Sequence, residues 1–241
     1  MSSVFAQKQK VKYLTTFDDK LIHFGFTLGV NTLDFRVLNY NPIGENPDFE
    51  EYRNPLTREV ITDESIIRSD LTDVIPGFTV GIITSLRLTK DLNLRFLPGM
   101  SFGERQLVFN VPVYDINQGI EALPYYSVRS TFLDFPLLIK YKARRINNGR
   151  PYIVFGPAYR QDISRTAQED LIKLKNGSFY AEVGAGWDNY FPFFRFSVEA
   201  KFSFGINNVL GDLPGGNQRK YYAQSIKYLS SNIFTLSFHF E

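Results

Sequence analysis

The 241-residue chain has no cysteine, two methionines, two histidines and one tryptophan. The absence of cysteine removes disulfide frameworks, thiolate metal sites and cysteine nucleophiles together. No run of 18 or more apolar residues occurs, which excludes a membrane-spanning helix. It leaves open a membrane-spanning strand, in which only alternate residues need be apolar. Charge of one sign is lacking too: 27 Lys and Arg against 25 Asp and Glu leave a net +2, neither a basic nucleic-acid stripe nor an acidic tail.

What is present is aromatic. There are 23 Phe and 14 Tyr in a chain that is 44% hydrophobic, a bias towards strand formers at a length that suits one domain. The decisive pattern has period two. Phe194, Phe196, Val198, Ala200, Phe202 and Phe204 share one face of an extended segment, while Arg195, Ser197, Glu199, Lys201 and Ser203 share the other. A helix would scatter both sets around its axis.

The same alternation predicts seven further strands. The first sets Phe24, Phe26, Leu28 and Val30 against His23, Gly25, Thr27 and Gly29; the second sets Phe78, Val80, Ile82, Leu86 and Leu88 against Thr79, Gly81, Ser85 and Arg87. The third starts near Leu92, with Leu94, Phe96, Met100 and Phe102 opposite Asn93, Arg95, Gly99 and Ser101. The fourth uses odd positions, Leu133 to Tyr141, opposite Asp134, Lys140 and Lys142. Ile153, Phe155 and Tyr159 oppose Gly156, Ala158 and Arg160 in the fifth, and Phe179 to Trp187 oppose Tyr180, Glu182 and Asp188 in the sixth. After the Phe194 segment, the eighth strand carries Phe234, Leu236, Phe238 and Phe240 opposite Thr235, Ser237 and His239.

Connections alternate in length. Thr89 to Asp91, Arg144 to Arg150 and Asp188 to Pro192 read as tight turns, whereas 39–77, 112–126, 161–177 and 207–228 read as long polar loops. A meander of about eight strands with this asymmetry is the layout of an outer-membrane β-barrel of a Gram-negative bacterium, closed, antiparallel and up-and-down, with short periplasmic turns and long extracellular loops. An even strand count puts both termini in the periplasm.

A soluble ligand-binding barrel would alternate as well, with its apolar face inward. Residue size separates the two. Eight strands leave a lumen only wide enough for side chains, yet the apolar face carries most of the Phe, Leu and Ile and the opposite face is rich in Gly, Ser and Thr. The bulky set, including Phe194, Phe196, Phe202, Phe204, Phe234 and Phe238, is therefore expected to face lipid. Arg87, Arg95, Asp134, Lys140, Arg160, Glu182, Arg195, Glu199 and Lys201 are expected to fill the lumen as a paired structural network rather than an ion path. Outer-membrane lipid is the partner these residues imply.

Little else points to chemistry. His23 and His239 fall in the lumenal phase of the first and last strands, where the expected role is two polar residues at a wet rim rather than a metal or pH site. Ser237, His239 and Glu199 could be counted as a lipase-like triad, but all three point away from lipid. Residues 211–216 read GDLPGG and lack the Lys-Ser/Thr ending of a phosphate cradle. No enzyme, metal site, cofactor, nucleic acid or small-molecule substrate is expected. Lys90, Lys142, Arg144, Arg145 and Arg150 gather at the short-turn end, where cations snorkel or meet a periplasmic partner.

At the start, Ser2 to Ala6 precede the polar Gln7 to Lys10. This reads as the tail of a signal peptide or as an ordinary frayed terminus; the former would place the true start upstream of Met1. Residues 1–19 are accordingly expected to be a signal-peptide remnant with a periplasmic segment, and 20–241 the barrel.

Two segments go beyond the generic pattern. Leu94-Arg95-Phe96-Leu97-Pro98-Gly99-Met100-Ser101-Phe102-Gly103-Glu104-Arg105, and Ser130-Thr131-Phe132-Leu133-Asp134-Phe135-Pro136-Leu137-Leu138-Ile139-Lys140-Tyr141-Lys142 with its continuation from Arg144 to Tyr152, resemble the PorT family of Bacteroidetes outer-membrane proteins. The resemblance covers the second to fifth strands and extends elsewhere by layout. A strand with Asp-Phe-Pro before apolar residues also occurs across many small porin-like barrels of that phylum. The resemblance implies an accessory or assembly role in the type IX secretion system, linked to gliding motility, with other secretion-system proteins as partners and no catalytic residues to carry over. Glu241 after Phe240 displaces by one residue the terminal aromatic usual in such barrels. A general small porin-like or adhesion barrel acting through its loops is the alternative.

Overall fold

The computed structural model describes residues 11–53, 58, 60–111, 113–114, 122–123, 125–164, 171–212 and 220–241. Eight long antiparallel strands run in chain order: β1 (Ile22–Asn39), β2 (Ser69–Val74, continuing as Pro76–Arg87), β3 (Leu92–Phe96, continuing as Gly99–Phe109), β4 (Tyr126–Lys142), β5 (Gly149–Asp162), β6 (Gly177–Tyr190), β7 (Arg195–Gly205) and β8 (Ile226–Phe240). Each pairs with both neighbours, and β1 pairs with β8, so the ring closes without a free edge. Following hydrogen-bonded partners around it leads from Ile22 through Leu86, Leu94, Ile139, Phe155, Val183, Phe202 and Phe234 to Thr32, a stagger of ten residues. In an eight-stranded barrel that stagger goes with strands tilted by roughly 40°.

The alternation read from sequence sets the faces. Phe24, Phe26, Phe78, Ile82, Phe155, Phe179, Phe194, Phe202 and Phe204 are exposed, while Arg95, Lys140, Arg195 and Glu199 are completely buried. Phe196, Phe234 and Phe238 stand on the same outer phase. An exposed phenylalanine surface around a charged interior is inside out for a water-soluble protein and right for a chain solvated by hydrocarbon.

The strands are longer than a bilayer requires: β1 has 18 residues and β4 has 17, against the roughly 9–11 that cross hydrocarbon when tilted. The outer apolar band accordingly stops partway up, giving way to Thr32, Asp34 and Arg36 on β1, Glu104 and Gln106 on β3, and Thr131 and Arg129 on β4. Above that level the inner face turns apolar. Phe35, Leu107, Phe109, Val128 and Leu229 point inward and join Ile43, Ile61, Ile67, Leu171, Ile172, Val209, Tyr221 and Tyr222 from the connections in one buried cluster.

The long connections are therefore not simply polar loops, as expected, but carry an apolar-cored cap. It includes a short helix, Lys220–Gln224, and small two-stranded ladders such as Lys173–Leu174 with Leu210–Gly211. The expected strand-two phase holds throughout, but at one step, which the alternation leaves unassigned, the apolar Ile83 faces the lumen and Thr84 faces out. Ile83 is at home there because it packs with Leu97, Leu138, Tyr152 and Val154 in an apolar layer inside the barrel. Leu88, expected on the second strand, lies in the turn beyond it.

Small residues on the inner face make room for large ones. A methyl group at Gly103 would lie 2.5 Å from the Leu33 side chain, and one at Gly186 would collide with the Tyr152 ring. Gly186→Leu should lower stability by about 1–3 kcal/mol through overpacking. Urea unfolding in detergent micelles, followed by tryptophan fluorescence of Trp187, checks this.

Candidate functional site: the filled lumen and its two closures

The inner faces of β3 to β8 stack three tiers of charge. Near the extracellular end of the span, Arg160 donates to Asp134 at 2.9 Å and to Glu182 at 2.6 Å, Lys201 pairs with Glu182 at 2.7 Å, and Ser101 donates to Asp134. In the middle, Arg95 pairs with Glu199 at 2.8 Å and His239 Nε2 lies 3.4 Å from the same carboxylate. Towards the periplasm, Lys140 Nζ donates to both oxygens of Asp188 at 2.7 and 2.8 Å while resting 3.5 Å from the Tyr152 ring centre. Arg195 pairs with Glu241 at 2.6 Å. Burial of so many charges is tolerable only because each has a partner at contact distance.

Eight of the nine charged residues expected in the lumen are placed there. Arg87 is not: its side chain is about one-third exposed at the periplasmic rim, where it pairs with Asp19 and donates to the Asp18 carbonyl. It is the last residue of β2, so its long side chain leaves the barrel mouth. The expected charge set omits Arg105 and Glu241, and also Asp188, although the alternation places Asp188 on the inner phase of the sixth strand. Asp188 shares the phase of Glu182, and counting on by two from Ser101 reaches Arg105; Glu241 had no strand to place it on.

Arg105 has a different environment. It donates to Ser231 at 2.7 Å and Ser130 at 3.3 Å and lies against the rings of Phe35 and Phe132, at the boundary between charged lumen and apolar cap. The two histidines sit at different depths. His239 is beside Thr27 in register, whereas His23 stacks on Phe17 at 4.3 Å. Neither lies at the wet rim expected for it: both are buried, and His239 sits against the Glu199 carboxylate. No hydrogen bond joins Ser237 to His239, and no group of three or more metal-ligating residues occurs among the described residues.

Both mouths are closed. The apolar cap covers the extracellular one. At the periplasmic end the segment 11–21 crosses beneath the barrel, and its short 3-10 turn, Phe17–Asp19, projects Asp18 into a ring of donors. Tyr190 donates its hydroxyl to Asp18 at 2.6 Å, and Arg150, Lys142 and Arg195 approach it at 3.2, 3.4 and 3.5 Å. Burial alone would raise the Asp18 carboxyl, but Lys142, Tyr190, Arg195 and Arg150 outweigh it and hold the pKa at about 2. Arg145 fastens the segment by donating to the Tyr13 carbonyl, and Asn148 donates to the carbonyl of Val11. Between the closures lies a cavity of about 30 Å³, lined by Thr27, Ser101, Asp134, Arg160, Glu199 and His239 among others. That cavity has room for about one water.

A closed eight-stranded ring with a lipid-solvated outer surface and a paired, charged interior defines an integral outer-membrane β-barrel. The chain belongs to the outer membrane protein beta-barrel domain family, whose model matches residues 5–211. It is similar to the outer membrane protein OprG from Pseudomonas aeruginosa, at 12% identity over 96% of each chain with a TM-score of 0.48. It is also similar to Ail, the attachment invasion locus protein of Yersinia pestis, at 10% identity over 92% of this chain and 98% of that one with a TM-score of 0.35. A further similarity is to the outer membrane protease OmpT from Escherichia coli, at 9% identity over 91% and 95% with a TM-score of 0.36. No curated protein matches the sequence. Residues 1–10 of the stretch 1–19 expected to be a signal-peptide remnant and periplasmic segment, and residues 213–216 of the GDLPGG loop, lie outside the described residues.

Two outcomes test this geometry. Arg95→Met alone should cost about 3–5 kcal/mol by stranding Glu199, and Arg95→Met with Glu199→Met should recover most of it, measured by urea unfolding in micelles. Asp18 is held below its unfolded value of 3.8. Its contribution, up to about 2 kcal/mol, is therefore full above roughly pH 4 and lost as pH falls towards 2. Asp18→Asn should abolish that pH dependence and speed proteolysis at Lys12 and Lys20 at neutral pH.

Proposed function

We propose that this barrel is a non-enzymatic, non-conducting component of the type IX protein secretion system, acting in export and its link to gliding motility by contact with other secretion proteins. The observation that carries the contact role is the double closure: a lumen filled with ion pairs, corked by Asp18 below and an apolar cap above, leaves the two ends as working surfaces. The secretion system itself is suggested by the PorT-like segments. These form adjacent strands, with Leu94 opposite Ile139 and Phe102 opposite Thr131, so the resembling residues compose one continuous panel from rim to cap.

The rival reading, an adhesion barrel acting through its extracellular end, is favoured by one feature. The cap holds a polar pocket of about 480 Å³ lined by Asn46, Asp48, Lys175, Asn208, Lys220 and Lys227 among others. Deleting the gene should trap secreted cargo in the periplasm; normal secretion removes the export role. Loss of surface binding after cap deletions, with secretion intact, selects adhesion. In planar bilayers the purified protein should show no porin-like conductance steps.

A further inference from the structure

Most of the cations at the periplasmic rim have structural employment. Lys142 and Arg150 turn inward to Asp18, Arg150 also pairs with Asp91 at 2.9 Å, Arg87 pairs with Asp19, and Arg145 clamps the N-terminal segment while lying over the Tyr190 ring. Of the cations that line the pocket between the β2–β3 and β4–β5 turns, two are left over. Lys90 Nζ and the Arg144 guanidinium have no hydrogen bond or ion pair among the described residues, and both line one open pocket of about 490 Å³. The carboxylates in that pocket, Asp18, Asp19 and Asp91, are all engaged by the pairs just named.

The pocket opens where the lipid-facing surface begins. Tyr141, half exposed, forms its membrane-side wall and pairs in register with Leu92 on one side and Ile153 on the other. An aromatic with a polar tip at this height marks the hydrocarbon boundary. Directly above, Leu86, Leu94 and Ile139 are register partners across β2, β3 and β4, an aliphatic wall unlike the phenylalanine-covered face of β7, β8 and β1.

We propose that this pocket is a binding site for an anionic glycerophospholipid of the periplasmic leaflet, its phosphate between Lys90 and Arg144 and its acyl chains along Leu86, Leu94 and Ile139. A net-anionic headgroup is favoured over a zwitterionic one because both uncommitted groups are cations while every carboxylate present is already paired.

The full barrel, placed in nanodiscs of phosphatidylcholine carrying a minority of phosphatidylglycerol, is ejected into a native mass spectrometer and the lipids retained are counted. Wild type should keep one phosphatidylglycerol in preference to phosphatidylcholine or phosphatidylethanolamine, and Lys90→Gln with Arg144→Gln should lower that retention by roughly tenfold. Both cations are exposed, so the variant should keep the heat-modifiable mobility of a folded barrel, which is measured alongside. Tyr141→Ala, acting on the wall alone, should weaken retention less. Equal retention by the folded double variant overturns the proposal, as does retention of phosphatidylcholine at the same level. Complete displacement by millimolar inorganic phosphate also overturns it, because the wall would then contribute nothing. Retention of an acidic polypeptide in place of lipid at these two cations would do the same.

Discussion

Hydrocarbon offers no hydrogen bond and no counter-ion, and this single constraint organises the chain. Within the span each strand is hydrogen-bonded on both sides because the ring closes β1 on β8. Every long charged side chain in the span must likewise find its partner inside, and the tiers Arg160 with Asp134 and Glu182, Arg95 with Glu199, and Lys140 with Asp188 are the result. An ion pair of this kind contributes little net stability over an apolar pair of the same volume, but a half pair is ruinous. The tiers therefore act as a check on strand register: a slip on any strand separates charges that have nowhere else to go.

The same constraint explains what was legible in the sequence. On β7 the membrane enforces a strict outer set of Phe, Val and Ala, so phase, face and the inward Arg195, Glu199 and Lys201 could all be read from alternation. The reading failed where the membrane stops dictating. Above the band, Leu33 and Phe35 continue the lumenal phase of β1 but are apolar, because beyond the lipid the ordinary rule of an apolar interior returns. The cap residues Ile43, Leu171 and Tyr222 have no periodicity to betray them, since irregular segments place each side chain individually. Asp18 is one carboxylate in a polar stretch, and only the fold shows that four donors converge on it.

The closures at the two ends differ in kind. The extracellular cap is a packed apolar cluster, insensitive to charge, whereas the periplasmic cork is a single carboxylate among cations with the ring of Phe17 set beneath Arg195 and against His23. One end is held by shape and the other by electrostatics. The wall between them is held by pairing, so the fold draws on three separate sources of order along one axis.

The level at which the outer surface changes from Val30 and Phe102 to Asp34 and Glu104 fixes how deeply the molecule rides in its bilayer. Rising by one residue pair would lift Tyr141 and its neighbours out of the lower interface; sinking by the same amount would drag Asp34, Arg36 and Glu104 into acyl chains. A cylinder anchored from both rims cannot bob, and a bilayer of the wrong thickness must deform to meet it. The barrel thus sets the local depth of the membrane around it as firmly as the membrane sets its fold.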